Sequence, residues 1–352
     1  MSIYLKLFII VMPLTMLTGI YAGELKEEAR EESMMTHHEN ISTQQKDTPI
    51  VFACYGESNP EITQITNMIR SLRTFGGSFK EAPVWVYFPE DFTDRDTSLL
   101  KKLNALDVTL KTSVTPEDSQ YFYFSGKVFA ASKAEEDACS TADVLVWMDS
   151  DTLILKEPLL FNLPKGIAFG YRPVMHKLIG SAYGDPPDEF WQTIYQEFSL
   201  PDSAFYPMTT PGDQQTIRPY FNAGLLVVRP EKGILRQWTR NFQKLYKNSF
   251  FVNQCRQDKY KRIFLHQTAL VPAVLKLTKK TECIEFPETV NYPLFFKKMF
   301  GATRPFDDIN DAVTIRYEHY FQNPEPQWEN ELKAPPEIIH WLKTYLAPPA
   351  SN

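Results

Sequence analysis

The chain has 352 residues, of which 43% are hydrophobic and 14% aromatic, enough for one large core or two smaller domains. Its net charge is −6, and seven acidic against three basic side chains fall in residues 23–48, so the rest of the chain is nearly neutral. A nearly neutral, slightly acidic body argues against nucleic-acid binding, which requires a basic surface.

Residues 1–22 have the pattern of a secretory signal peptide. A single lysine precedes sixteen mostly apolar residues that end at Ala22, a small residue suited to a cleavage site. Sixteen residues are short for a membrane span and Pro13 interrupts them, yet an uncleaved anchor through residues 4–22 remains the alternative. Both interpretations predict export, either secreted or lumenal and membrane-anchored (Golgi-like) if the source is eukaryotic. Residues 23–48 are predicted to be a disordered acidic stalk.

From residue 49 the apolar pattern alternates between strands and helices. PIVFACY, APVWVYF and VTLKTS are predicted strands. The helices predicted between and after them lie at residues 61–75, 94–105 and 126–139. This alternation predicts an α/β fold with a doubly wound, mostly parallel central sheet flanked by helices. We assign residues 49–346 to this domain and residues 347–352 to a tail.

The segment VLVWMDSDTLIL places two carboxylates, Asp149 and Asp151, directly after a continuous apolar run. Such a run suits a central strand of a parallel sheet that is buried on both faces. An aspartate can also simply end a strand by bonding local backbone, so the pair alone does not define a site. In doubly wound sheets, however, ligands bind beyond the carboxyl ends of the strands, which is where these two residues lie.

The second half of the chain is more mixed. GIAFGYR and YFNAGLLVVR are predicted strands, ILRQWTRNFQKLY and HQTALVPAVLKL are predicted helices, and the proline-rich residues 173–220 are predicted to be a long ordered loop. Cys54 and Cys139 are expected to pack as small apolar groups. Cys255 with Cys283 is the preferred pair for a disulfide in an exported protein.

The segment WMDSDT and the later FNAGLLVV (Phe221–Val228) together resemble nucleotide-sugar-dependent glycosyltransferases of the GT-A fold, in particular the glycogenin-like group and related nucleotide-diphospho-sugar transferases. The resemblance covers roughly residues 49–330. It implies a GT-A-like fold and sugar transfer from a nucleoside-diphosphate sugar, expected to be a UDP-sugar, to a glycan, protein or lipid acceptor. It identifies no catalytic residue and leaves the retaining or inverting outcome open.

The resemblance further implies a divalent cation, Mn²⁺ or Mg²⁺, on Asp149, Asp151 and a C-terminal histidine. Carboxylate oxygens and an imidazole suit such an ion, which bridges to the phosphates and acts as a Lewis acid on the leaving group. The family's histidine stands in a His-Tyr/Phe-x-Gly-x-x-Lys-Pro-Trp stretch, for which His319-Tyr320 is the match here.

That stretch departs from the family pattern at three points, one of which is an extra residue before Trp328. Gln322 stands in place of the glycine and Glu325 in place of the phosphate-binding lysine, so the lysine of the family's diphosphate clamp is not matched here. His176 and His266 remain weaker candidates for the metal ligand.

The same resemblance implies residues that bind the donor. Tyr55 ends the first strand, where the family seats the nucleotide base, and Lys127 could face phosphate or ribose. Asn222 would bond the donor sugar, and Gly224 would let the ligand approach the backbone. Gln267 would touch the sugar, with a loop residue, Asp213, as the alternative. The predicted donor-binding set is therefore Tyr55, Lys127, Asp149, Asn222, Gly224 and Gln267. Each of three residues also has a non-functional alternative: Tyr55 as a packed ring, Lys127 as a solvated side chain and Asn222 as a structural residue.

Two other functions stay open at this stage. One is a non-catalytic glycan- or nucleotide-binding protein on the same fold, which Glu325 favours and the Asp149–Asp151 pair disfavours. The other is a metal-dependent hydrolase of nucleotide sugars, which would use the same ion and take water as the acceptor.

Overall fold

The computed structural model describes residues 49–92, 96–297, 307–322 and 327–346. The predicted signal peptide or anchor, the predicted stalk and the tail of residues 347–352 lie outside this range, as does Glu325. In the part of the chain that is described, no helix combines the length and the apolar character that crossing a membrane requires.

The described residues form twelve strands. They are β1 (Ile50–Tyr55), β2 (Val84–Pro89), β3 (Thr109–Ser113), β4 (Val144–Met148), β5 (Thr152–Ile154), β6 (Phe169–Pro173), β7 (Met208–Thr209), β8 (Thr216–Ile217), β9 (Phe221–Val228), β10 (Cys283–Glu285), β11 (Tyr292–Pro293) and β12 (Thr314–Arg316). Seven of them make the main sheet in the order β10-β6-β9-β4-β1-β2-β3. Only β9 runs antiparallel to its neighbours, so the prediction of an α/β fold with a mostly parallel central sheet is confirmed.

Helices cover both faces of this sheet. In the described residues they are α1 (Asn59–Phe75), α2 (Thr97–Asn104), α3 (Ser125–Ala138), α4 (Glu189–Glu197), α5 (Ile234–Lys247), α6 (Ser249–Gln257), α7 (Lys259–Leu277), α8 (Trp328–Glu331) and α9 (Pro336–Tyr345). One core cluster joins the sheet to α1, and a second joins it to α3, α5 and α7. The apolar spacing predicted most of these helices, and Ser58 caps α1 as its hydroxyl accepts from the Glu61 amide.

The strand β4 is central and fully buried, as its continuous apolar sequence predicted. Val144, Val146 and Met148 pack in the cluster on the α1 side, whereas Leu145 and Trp147 pack in the opposite cluster. Alternate side chains of a strand point to opposite faces, so both faces had to be apolar. The two aspartates follow at the carboxyl end of this strand.

A second, three-stranded sheet of order β11-β12-β5 stands beside that end. β12 pairs antiparallel with β5, with Arg316 opposite Thr152. The Tyr317 amide donates to the Asp151 carbonyl at 3.2 Å. This register places Arg316, which lies far along the chain, beside the two aspartates.

Residues 173–220 are not the loop that the sequence predicted. They include the helix α4 and the hairpin of β7 and β8. Asp188 caps α4 by accepting from the Trp191 amide at 2.9 Å, and Phe190, Trp191 and Ile194 are buried. Prolines on both sides of a nine-residue helix hid this short amphipathic pattern.

The predicted Cys255–Cys283 disulfide is also wrong, since all four cysteines lie in the described part of the chain and are free. Cys255 is buried on α6. The Cys283 sulfur instead lies 3.1 Å from the Thr278 hydroxyl. Cys54 is fully buried, as predicted, whereas Cys139 is exposed.

Candidate active site

The candidate site lies at the carboxyl edge of the main sheet, where four elements converge. Tyr55 is the last residue of β1, Lys127 lies in the first turn of α3, and Asp149 follows β4. β9 starts at this same edge because it runs antiparallel, and it contributes Asn222 and Gly224. The sheet therefore brings together residues that the sequence placed far apart.

The site is built around a network of buried ions. Lys127 Nζ lies 2.5 Å from Asp149 Oδ1. Arg316 Nη1 lies 3.1 Å from Asp149 Oδ2. Arg316 Nη2 donates to Asp151 Oδ2 at 3.0 Å. Arg316 Nε lies 2.8 Å from Asp151 Oδ1, as an ion pair without hydrogen-bond alignment. Each of the four carboxylate oxygens of the D-S-D pair thus faces a cationic nitrogen.

Arg316 was missed by the sequence analysis. It is the last residue of β12, and its side chain is 13% exposed. The sequence did offer one signal. Arg316-Tyr317 stands at the end of a short apolar run, three residues before His319-Tyr320, and has the same order of a basic residue followed by an aromatic one. Only the pairing of β12 with β5 shows that this arginine reaches the aspartates.

The ionisation of the network follows from its burial and its pairs. Burial would raise the pKa of Asp149, but Lys127 and Arg316 outweigh this and hold the pKa below its usual value. Burial lowers the pKa of Lys127, against the pull of Asp149. Burial also acts to lower the pKa of Arg316, but Asp151 and Asp149 raise it above its usual value. Asp149 is therefore a carboxylate at neutral pH, and Arg316 is always charged.

Gly224 makes room for the arginine. A β-carbon at this position would overlap Arg316 Nη1 and would lie 2.9 Å from both Asp149 Oδ2 and Asn222 Oδ1. The family resemblance implied that this glycine lets a ligand approach the backbone. In the structure the group that approaches it is the Arg316 guanidinium.

Two cavities meet at this network. The first, here called the DSD cavity, measures about 340 Å³ and is lined by Tyr55, Gln64, Ser150, Asp151 and His319, among others. The second, here called the FNAG cavity, measures about 440 Å³ and is lined by residues that include His176, Asn222, Gly224, His266 and Gln267. Both are lined by the same five residues: Phe124, Lys127, Asp149, Arg316 and Glu318. The charged network is the shared wall.

The predicted donor-binding residues all line one or both cavities, although several are already engaged. Tyr55 donates to Glu57 Oε2 at 2.9 Å, and its ring packs over Gly126, where a β-carbon would overlap it. Asn222 Oδ1 accepts from the Gly224 amide at 2.8 Å. Gln267 Oε1 accepts from the Ala223 amide at 3.2 Å.

The histidines differ in their surroundings. His319 is exposed at the rim of the DSD cavity. His266 is buried, its Nδ1 lies 2.9 Å from the Ile263 carbonyl, and burial together with Lys127 lowers its pKa to about 3. His266 is thus a neutral imidazole facing the FNAG cavity. The loop alternative, Asp213, accepts from the Lys177 amide at 3.0 Å and lines neither cavity.

The site as arranged does not fit the divalent cation that the sequence predicted. Within residues 49–92, 96–297, 307–322 and 327–346, no three His, Cys, Asp or Glu side chains are grouped closely enough to hold a metal ion, so Asp149, Asp151 and His319 do not form the expected set. A metal entering between the aspartates would also face Arg316, which cannot lose its charge. At ~4 Å and an effective dielectric constant of about 20, that repulsion is about 4 kcal/mol for each unit of charge on the ion.

Comparison with known proteins identifies a family. A model of the family described as Rhodobacterales glycosyltransferase domain matches residues 58–278. No protein with a curated description matches the chain.

Among solved structures, the apo form of mouse xyloside xylosyltransferase 1 is 14% identical, with a TM-score of 0.41, and the match covers 76% of this chain and 96% of that one. The galactosyltransferase LgtC, in complex with donor and acceptor sugar analogues, is 15% identical, with a TM-score of 0.45 over 86% of this chain and 97% of that one. At these values the similarities carry no inference about donor, acceptor or metal.

Proposed function

Because the family match spans well over half of its length, the chain belongs to the family of the Rhodobacterales glycosyltransferase domain, and from this premise we propose that it transfers a sugar from a nucleoside-diphosphate sugar, with UDP as the nucleotide, to a glycan, protein or lipid acceptor.

The observation that carries the proposal is the shared wall of the two cavities. A nucleotide sugar has three parts in a row, and its diphosphate lies between nucleoside and sugar. The DSD and FNAG cavities likewise meet at a wall that carries two cationic side chains, Lys127 and Arg316, beside the carboxylates of Asp149 and Glu318. We infer that the diphosphate lies at this wall, the nucleoside on the Tyr55 side and the sugar on the Asn222 and Gln267 side.

The chemistry of transfer fits charges at that wall. When the bond from the anomeric carbon to the phosphate oxygen breaks, the leaving diphosphate gains negative charge. Preorganised cations in a largely buried site stabilise that charge more than they stabilise the neutral ground-state bond. The Asn222 and Gln267 amides face the cavity on the sugar side, where they can orient the donor sugar. No step of this proposal passes through a divalent ion, because the carboxylates expected to hold it are already paired.

A donor screen tests the proposal. The full chain is incubated with UDP-, GDP-, TDP- and ADP-sugars, each with and without oligosaccharide acceptors, in Mn²⁺ and in chelator, and release of nucleoside diphosphate is measured. Acceptor-dependent release from a UDP-sugar is the expected result. Release that needs no acceptor would instead identify a hydrolase, and binding without release would identify a non-catalytic nucleotide-binding protein.

The location of the protein is a separate proposal, which rests on its N-terminal sequence. We propose export, with residues 1–22 either removed or kept as an anchor through residues 4–22. N-terminal sequencing of the protein recovered from its source tests this. A mature chain that starts near Gly23 indicates secretion, an intact N-terminus in the membrane fraction indicates anchoring, and an intact chain in the cytosol contradicts export.

A further inference from the structure

The pairing of the two D-S-D aspartates is complete without any added ion. Asp149 receives Lys127 on one oxygen and Arg316 on the other, and Arg316 spans both oxygens of Asp151, at distances from 2.5 to 3.1 Å. Contacts this short between charged groups belong to the stronger class of hydrogen bonds and ion pairs in proteins. These aspartates therefore act as anchors for two cations.

The charge of this arrangement equals that of a metal-loaded pair. One divalent ion on two carboxylates gives a net charge of zero, and so do one ammonium and one guanidinium on the same two carboxylates. A guanidinium also offers a planar fork of N–H donors that matches two phosphate oxygens. Arg316 has five such N–H groups. Its Nη2 atom also lies 3.6 Å from Glu318 Oε1, and the N–H groups directed at none of these three carboxylates remain for a ligand.

The arginine is held in place by the backbone around it. β12 pairs with β5 in a register that sets Arg316 beside the aspartates, and the Tyr317 amide bonds the Asp151 carbonyl. Gly224 supplies the only kind of residue that leaves space for the guanidinium. A mobile arginine on the surface would need neither the pairing of β12 with β5 nor a glycine at position 224. These two constraints therefore fix the position of Arg316 in the site.

We propose that Arg316, together with Lys127, takes the place of the divalent cation in this glycosyltransferase, so that donor binding and transfer need no metal. The proposal rests on the proposed function above. During transfer the bond from the anomeric carbon to the phosphate oxygen breaks, the bond to the acceptor oxygen forms, and the acceptor's hydroxyl proton leaves to solvent. The negative charge gained by the diphosphate is then met by the two side-chain cations that line both cavities.

Calorimetry with the full chain tests this proposal. UDP is titrated in chelator, in Mn²⁺ and in Mg²⁺, and Mn²⁺ alone is titrated in the absence of nucleotide. We expect UDP affinities that agree within about threefold across the three conditions, and no binding of Mn²⁺ alone. UDP binding that requires Mn²⁺ would overturn the metal-free site while leaving the proposed glycosyltransferase standing.

Variants sharpen the outcome. Arg316→Ala should weaken UDP binding at least about 30-fold, as expected for loss of a charged partner. Arg316→His places an imidazole beside the two aspartates, and its UDP affinity should rise when Mn²⁺ is added, unlike that of the unchanged chain. Arg256→Ala, which removes an exposed arginine of α6 outside both cavities, is the matched control and should bind UDP normally.

Two further results separate the possible failures. If UDP, GDP, TDP and ADP all fail to bind in every condition, the proposed function fails and this inference fails with it. If Arg316→Ala remains folded by circular dichroism and binds UDP in chelator as tightly as the unchanged chain, the inference alone is overturned.

Discussion

Replacing Arg316 by methionine removes the guanidinium but keeps an unbranched stem. Asp151 would lose both of its cationic contacts, at 2.8 and 3.0 Å, while Asp149 would keep Lys127 at 2.5 Å. The side chains of the two aspartates are only 17% and 11% exposed, so this is the breaking of a buried ion pair. We expect the free energy of unfolding at pH 7 to fall by about 3–5 kcal/mol.

The loss should depend on pH in a defined direction. Lys127 and Arg316 outweigh burial and hold the pKa of Asp149 below its usual value. A lowered carboxyl pKa contributes stability that is present above the unfolded-state value, about 4, and that disappears as the pH falls through the folded-state value. Without Arg316 this contribution shrinks, so the difference between the two proteins should be largest near neutral pH and should decrease below about pH 4.

Urea unfolding followed by tryptophan fluorescence, at several pH values, measures this difference. Arg256→Met is the control, and its free energy of unfolding should stay within about 0.5 kcal/mol of that of the unchanged chain. A loss below about 1 kcal/mol for Arg316→Met at pH 7, or a loss that grows on acidification, would refute the reasoning from the buried network.

Two other predictions concern the ion network, and one concerns the cysteines. Gly224→Ala should lower the free energy of unfolding by about 1–3 kcal/mol and weaken UDP binding, because its β-carbon would overlap Arg316. Gly184→Ala is the control, since a β-carbon there meets nothing within 4 Å. In the same urea and calorimetry assays it should change neither stability nor UDP binding. Lys127→Met should weaken UDP binding about 10- to 100-fold in chelator, and calorimetry that shows unchanged affinity would remove the lysine from the diphosphate site. Because all four cysteines are free, dithiothreitol should leave the thermal unfolding midpoint unchanged. Alkylation of the protein unfolded without reductant should give four modified thiols by mass spectrometry. A pair of cysteines that resists alkylation would contradict this prediction.

Local patterns predicted the parts of the fold that depend on neighbours in sequence. The continuous apolar run of β4 required burial on both faces, and it placed Asp149 and Asp151 at the carboxyl edge of the sheet. The spacing of apolar residues likewise predicted α1 and α5. These features could be read from the sequence because period and strand direction fix which way a side chain points.

The remaining features depend on contacts between distant segments. Arg316 reaches Asp151 only through the pairing of β12 with β5, which joins residues more than 150 positions apart in the sequence. The expectation of a disulfide between Cys255 and Cys283 failed for the same reason, since the sequence does not give the distance between two sulfurs. The helix α4 was missed because prolines flank a short pattern.

A crystal structure of the full chain with UDP, grown in chelator, would show where the diphosphate binds and whether it needs a metal. We expect the diphosphate at the shared wall of the two cavities, with phosphate oxygens within hydrogen-bond distance of the Arg316 Nη atoms and Lys127 Nζ, and the uracil on the Tyr55 side. A diphosphate bound elsewhere, or UDP that appears at this wall only when crystals are grown with Mn²⁺ between Asp149 and Asp151, would contradict it.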